Sequence, residues 1–104
     1  MTTLRKKLEL KLAKIPGLEI SLFKDTDLMC LFYKGKDFAH FHDDNELDLR
    51  LTKGVIKRER VVRLTDSTHH PKRSANSPWV ELRFSSTGDL AEIERLVELA
   101  IEQI

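Results

Sequence analysis

With 104 residues, 40% hydrophobic and 34% charged, the chain is long enough for one real core beneath a heavily charged surface, and it reads as a single globular domain over residues 1–104. A formal net charge of +1 disfavours a dedicated polyanion binder, and the single cysteine, Cys30, excludes an intramolecular disulfide framework. A signal peptide needs about 7–15 apolar residues behind a basic start and a membrane span about 20; neither pattern occurs, so a cytoplasmic protein without a membrane partner is predicted.

Leu4, Leu8, Leu12 and Ile15 form a helical stripe among lysines, and Pro16-Gly17 stops it, predicting a first helix over residues 4–15. From Leu18 the period changes to two. Leu18, Ile20 and Leu22 alternate with Glu19 and Ser21 as a half-buried strand, and Lys24-Asp25-Thr26-Asp27 forms a turn. Residues 28–33 form a more deeply buried strand in which Cys30 reads as a small buried hydrophobe. After the turn Lys34-Gly35-Lys36, residues 38–42 make a third strand. Asp43-Asp44-Asn45 then turns the chain into Glu46-Leu47-Asp48-Leu49-Arg50-Leu51, whose alternation is strict.

Thr52 can cap a short helix over residues 53–60, which residues 61–64 either prolong or leave for an extended segment. Residues 65–78, rich in Ser, Thr, Asn, Pro and His, predict a surface loop. Val80, Leu82 and Phe84 then define one side of a fifth strand. Asp89 opens a final helix with Leu90, Ile93, Leu96, Val97, Ala100 and Ile104 on its apolar face. The order α-β-β-β-β-α-β-α predicts an α+β two-layer sandwich, with an antiparallel sheet of about five strands and helices on one face. Leu47, Leu49, Leu51, Val80, Leu82 and Phe84 would face the helices. Asp48, Arg50, Trp79, Glu81 and Arg83 would face away, on a partly open surface that also receives His40 and His42.

The segment Asp37-Phe38-Ala39-His40-Phe41-His42-Asp43-Asp44 carries the chemistry. Alternation places His40 and His42 on one strand face, doubling on one surface the commonest metal-ligating side chain. Two such histidines can hold one ion if Asp44, Asp48, His69 or His70 supplies a further ligand. That donor mixture suits zinc, iron or manganese better than calcium. Without a metal, His40, His42, Asp48 and His70 are candidates for acid–base catalysis, Asp48 orienting the imidazoles. Arg50 or Arg83 would then anchor an anionic group of a small-molecule ligand, and Trp79 would wall the site. The plainest reading is a solvated, hydrogen-bonded sheet face. Lys53, Lys57, Arg58, Arg60, Arg63, Lys72 and Arg73 form a basic cluster, which without a Gly-rich phosphate loop reads as a charged surface rather than a nucleic-acid site.

The histidine strand running to Asp48 and Leu49, followed by His69-His70-Pro71, Ser77-Pro78-Trp79-Val80 and Asp89, resembles the luciferase domain family of small proteins. Pro16-Gly17-Leu18-Glu19 resembles that family's opening Pro-Gly-Val segment, and Ser77-Pro78-Trp79 stands where the family commonly has Ser-Gly-Trp. The resemblance implies site status for His40, His42, Asp44, Asp48, His70 and Trp79. Its label denotes an oxidative, light-emitting enzyme, but no flavin motif or nucleotide loop accompanies it here. The expectation is therefore a His/Asp/Trp site for a small ligand or a transition metal such as zinc, drawn from His40, His42, Asp44 and His70 and open to an enzymatic role. The alternative is a non-enzymatic module binding a protein or nucleic acid through the exposed sheet or the basic helix of residues 53–63. Nothing in the sequence assigns an oligomeric state.

Overall fold

The computed structural model describes residues 3–23, 28–42, 45–61 and 77–104. Its elements follow the predicted order: α1 (Leu4–Leu12), β1 (Leu18–Leu22), β2 (Met29–Tyr33), β3 (Lys36–His42), β4 (Glu46–Arg50), α2 (Lys53–Arg58), β5 (Trp79–Arg83) and α3 (Thr87–Glu102). The strands form one antiparallel sheet in the order β1-β2-β3-β4-β5, with each strand beside its neighbour in sequence. Tyr33 pairs with Lys36 across a two-residue turn whose residues, Lys34 and Gly35, have φ of 53° and 78°. Two consecutive positive φ values give the tight turn whose twist matches that of the strands it joins.

The apolar period decides which side is core. Leu31, Ala39, Phe41, Leu47, Leu49, Val80 and Leu82 pack with Leu8 and Leu12 of α1 and with Leu90, Ile93, Leu96, Val97 and Ala100 of α3. Helices α1 and α3 also touch each other, so both lie on this side of the sheet. Burying these side chains drives the fold, at about 1.5–3 kcal/mol for each large one taken out of water. Leu22 departs from its predicted role. It sits at the end of edge strand β1 and is 52% exposed.

Helix α3 begins two residues earlier than predicted. The Asp89 carboxylate accepts the backbone N–H groups of Ser85 at 2.9 Å and Ser86 at 3.2 Å, satisfying donors at the helix start. The short α2 starts at Thr52, held at φ 74° with its hydroxyl oxygen accepting from the Val55 N–H, and ends at Arg58. Arg95 ties α2 to α3 by reaching Glu59 at 2.6 Å while also pairing with Glu92. The predicted turns at residues 24–27 and 43–44, the continuation over residues 62–64 and the loop of residues 65–76 lie outside the described residues.

Candidate functional site on the polar sheet face

The face turned away from α1 and α3 is built of cross-strand rows. Cys30 of β2 pairs with His40 of β3, His40 with Asp48 of β4, and Asp48 with Glu81 of β5. Beside that row, His42 pairs with Glu46 and Glu46 with Arg83; on the other side, Arg50 pairs with Trp79. Directly opposed residues hold their Cβ atoms about 4.5–5.5 Å apart, so each row is a line of neighbouring side chains. The sheet thus gathers Cys30, His40, His42, Asp48, Glu81, Arg83 and Trp79 onto one surface.

His40 lies at the centre. Its Nε2 is 2.8 Å and 2.9 Å from the two carboxylate oxygens of Asp37. Its ring stacks on Trp79, with centroids 5.1 Å apart and planes inclined by 24°. Two strand spacings separate β3 from β5, so the indole reaches across β4 to make this contact. In the tautomer that donates Nε2–H to Asp37, Nδ1 is left as an acceptor.

Asp37 is the residue that alternation conceals. Strict period two puts it on the face opposite His40. A register shift opposite Leu31 and Phe32, however, pairs Leu31 with Ala39 but Phe32 with Asp37, leaving Phe38 as an extra residue. Such a bulge re-aims side chains, and here it brings Asp37 and His40 together at a spacing of three. It also places Phe38, which strict alternation would set on the face of His40 and His42, among the buried core residues.

The expectation of a partly open face needs correction at its centre. Glu46, Asp48 and Glu81 are only 6%, 2% and 5% exposed. The long side chains around them account for part of this cover: Trp79 lies across β4, and Arg83 reaches over Glu46. Arg83 donates from Nε and Nη2 to one Glu46 oxygen at 3.0 and 2.8 Å. Its guanidinium is thus engaged in an ion pair, whereas Arg50 is exposed. His42 is half-buried and faces Glu46. Asp44, His69 and His70, named above as metal or catalytic candidates, lie outside the described residues, as do Arg63, Lys72 and Arg73.

Cys30 is fully buried among the hydrophobic residues, as predicted. It lies on the polar face, where its thiol donates to the Leu28 carbonyl at 3.6 Å. Burial, and secondarily the Asp37 carboxylate, push the thiol up to about 11. Cys30, Asp37 and His40 each offer a ligand atom within 4.8 Å of the other two. Sequence reading missed this trio because Cys30 looked like core and Asp37 looked like the other face.

A cavity of about 290 Å³ opens at the β5 end of the sheet, between Glu59, Arg60, Glu81, Arg83 and the α3 residues Glu92 and Ile93. It adjoins the end of the rows without including His40 or Trp79. On α2, Lys53, Lys57 and Arg58 are exposed, but Arg58 pairs with Glu59 at 3.2 Å, which dilutes the basic surface.

The model of the luciferase domain family matches residues 35–100. That span is more than half of the chain and contains β3, β4, β5 and most of α3. The chain belongs to the luciferase domain family. No curated protein and no solved structure matches it. Within this luciferase domain the matched span includes Asp37, His40, His42, Asp48 and Trp79, while Cys30 lies before it. No helix among the described residues is long and apolar enough to cross a membrane.

Proposed function

We propose that this luciferase domain binds a small molecule on its polar sheet face, against the stacked pair His40 and Trp79 and beside the acidic row of Asp48 and Glu81. The observation that carries this reading is the fixed imidazole: His40 is held by Asp37 at its edge and by Trp79 on its face. A side chain restrained from two directions is preorganised for recognition, whereas a merely solvated histidine keeps its rotamer freedom.

The composition of the face indicates the ligand class. Asp37, Glu46, Asp48 and Glu81 contribute carboxylates, and an ionised carboxylate has about four acceptor sites and no donor. Arg83 is directed at Glu46, and Arg50 is an exposed cation at the other end of the rows. The face therefore suits a compact ligand with hydroxyl or amino donors, and Trp79 suits one with a flat apolar surface. His40 Nδ1 can accept a hydrogen bond from such a ligand or take up its proton, which is the route by which this site would support a reaction.

The test is a thermal-shift screen of phenols, aromatic amines and sugars, followed by titration of each stabilising compound on the fluorescence of the single tryptophan. A compound bound at this face should saturate with one equivalent. Its affinity should fall about tenfold or more, the equivalent of roughly 1.4 kcal/mol, in Trp79→Leu and in His40→Ala, the former read by calorimetry. Compounds whose affinity neither substitution alters would place binding elsewhere and overturn the reading.

A further inference from the structure

We propose that Cys30, Asp37 and His40 form a binding site for a transition-metal ion of the zinc class, with the thiolate sulfur, a carboxylate oxygen and an imidazole nitrogen as its donors. The three side chains come from two adjacent strands and converge because of one irregularity. Cys30 is the register partner of His40, and the bulge in β3 turns Asp37 onto the same side. Their ligand atoms all lie within 4.8 Å of one another. A tetrahedron built from ordinary zinc bond lengths has edges of about 3.5 Å, so small side-chain rotations suffice to close the set.

The donor types argue for the same class of ion. Calcium and magnesium take oxygen ligands, whereas a set of sulfur, nitrogen and oxygen selects zinc or a neighbouring divalent transition metal. The placement of Cys30 is the second consideration. Cys30 is fully buried and, alternating with the core residue Leu31, stands on the other face of β2 as the register partner of His40. Three protein donors would leave a fourth position for water or a ligand, the arrangement of reactive rather than closed structural zinc sites.

Charge and protons balance simply. In the tautomer in which His40 donates from Nε2, that proton lies between the imidazole and Asp37. On binding, the Cys30 thiol releases one proton to solvent and its sulfur becomes a thiolate ligand. Neutral His40 can keep its proton by carrying it on the other ring nitrogen while the freed nitrogen takes the ion, and Asp37 exchanges its hydrogen bond for coordination. Asp48, the cross-strand partner of His40, is a carboxylate able to support the ring from the next strand, as carboxylates commonly do for metal-bound histidine. The ligand set differs from the one the sequence suggested. It uses His40 but replaces His42, Asp44 and His70 with Cys30 and Asp37, and Cys30 lies outside the span that the family model matches.

This inference goes beyond the small-molecule reading, and its probe is the metal alone. Reduced protein prepared without a polyhistidine tag is titrated with Co²⁺ and then with Zn²⁺. One equivalent of Co²⁺ should bind with the strong visible bands of a tetrahedral ion and a sulfur-to-cobalt charge-transfer band in the near ultraviolet, and Zn²⁺ should remove both. Cys30→Ser should abolish the sulfur band. Asp37→Asn and His40→Gln should keep a thiol but weaken Co²⁺ binding by about tenfold or more. A wild-type complex without the sulfur band overturns the proposal, as does unchanged affinity in either Asp37→Asn or His40→Gln. Those two variants also carry the test if Cys30→Ser does not fold. A sulfur band with no organic ligand found would remove only the small-molecule reading, and an organic ligand at Trp79 with no sulfur band would remove only the metal.

Discussion

Arg83 offers a direct test of whether a residue that looks like an anion anchor is instead holding the sheet together. Replacing it with Met keeps the apolar stem and deletes the guanidinium, so both hydrogen bonds to Glu46, at 3.0 and 2.8 Å, are lost. Hydrogen bonds to a charged group contribute about 1.5–3 kcal/mol, and weakening the pairing of a buried carboxylate adds part of its desolvation penalty. Glu46 is nearly buried, which favours the upper end, but the Arg83 side chain is 36% exposed and solvent screens its charge. The expected loss is therefore about 2 kcal/mol, a substantial part of the roughly 5–15 kcal/mol that stabilises an ordinary domain. With an m-value of about 2 kcal/mol/M, the urea midpoint should drop by about 1 M, read by Trp79 fluorescence and checked by circular dichroism. Glu46→Gln measures the same contact from the other side, and the double variant should lose less than the sum, with a coupling of about 1–2 kcal/mol. If Arg83→Met leaves stability within about 0.5 kcal/mol of wild type while abolishing binding of an anionic ligand, the reasoning is refuted and Arg83 is an anchor after all.

The remaining predictions concern His40, Cys30 and Asp89. The His40 ring protons should resonate upfield of those of an exposed histidine, through the ring current of Trp79, and Trp79→Leu should return them; an unshifted wild-type signal would remove the stack. Native Cys30 should react with iodoacetamide at pH 8 far more slowly than in urea, because it is buried and its thiol is held up to about 11; equal rates would contradict this. The same shift sets a pH dependence. Above the ordinary thiol value of 9.0 the unfolded thiol ionises while the folded one keeps its proton, so stability present below pH 9 should decline as pH rises toward 11, and Cys30→Ala should flatten that slope in urea titrations. Backbone N–H groups, that of Ser85 foremost, hold the Asp89 carboxyl below its ordinary value. The advantage of Asp89 over Asn at α3 should therefore be present at neutral pH and disappear in acid as the folded-state carboxyl takes up its proton; a pH-independent difference in melting temperature would show another origin.

Most of the architecture was legible because its signal is local. Leu47, Leu49 and Leu51, with Val80, Leu82 and Phe84, alternate strictly, and the pleat converts that alternation into a buried face whatever the rest of the chain does. The stripes of α1 and α3 and the dipeptide Pro16-Gly17 are equally short-range. The same period correctly placed Asp48, Trp79, Glu81 and Arg83 away from the helices. It did not reveal that Glu46, Asp48 and Glu81 would be buried there, because cover by side chains from other strands is not written in the spacing of one strand.

The sequence by itself therefore determined the order of elements and the apolar side of the sheet. Tertiary structure decided what His40 touches. One extra residue in β3 reverses the alternation and brings Asp37 beside the imidazole; register puts Cys30 next to it on β2; and Trp79 reaches it from β5 across an intervening strand. The physical reason is the range of the forces involved. Hydrophobic period is a property of consecutive residues, whereas a bulge, a register and a stack exist only once separate strands have paired.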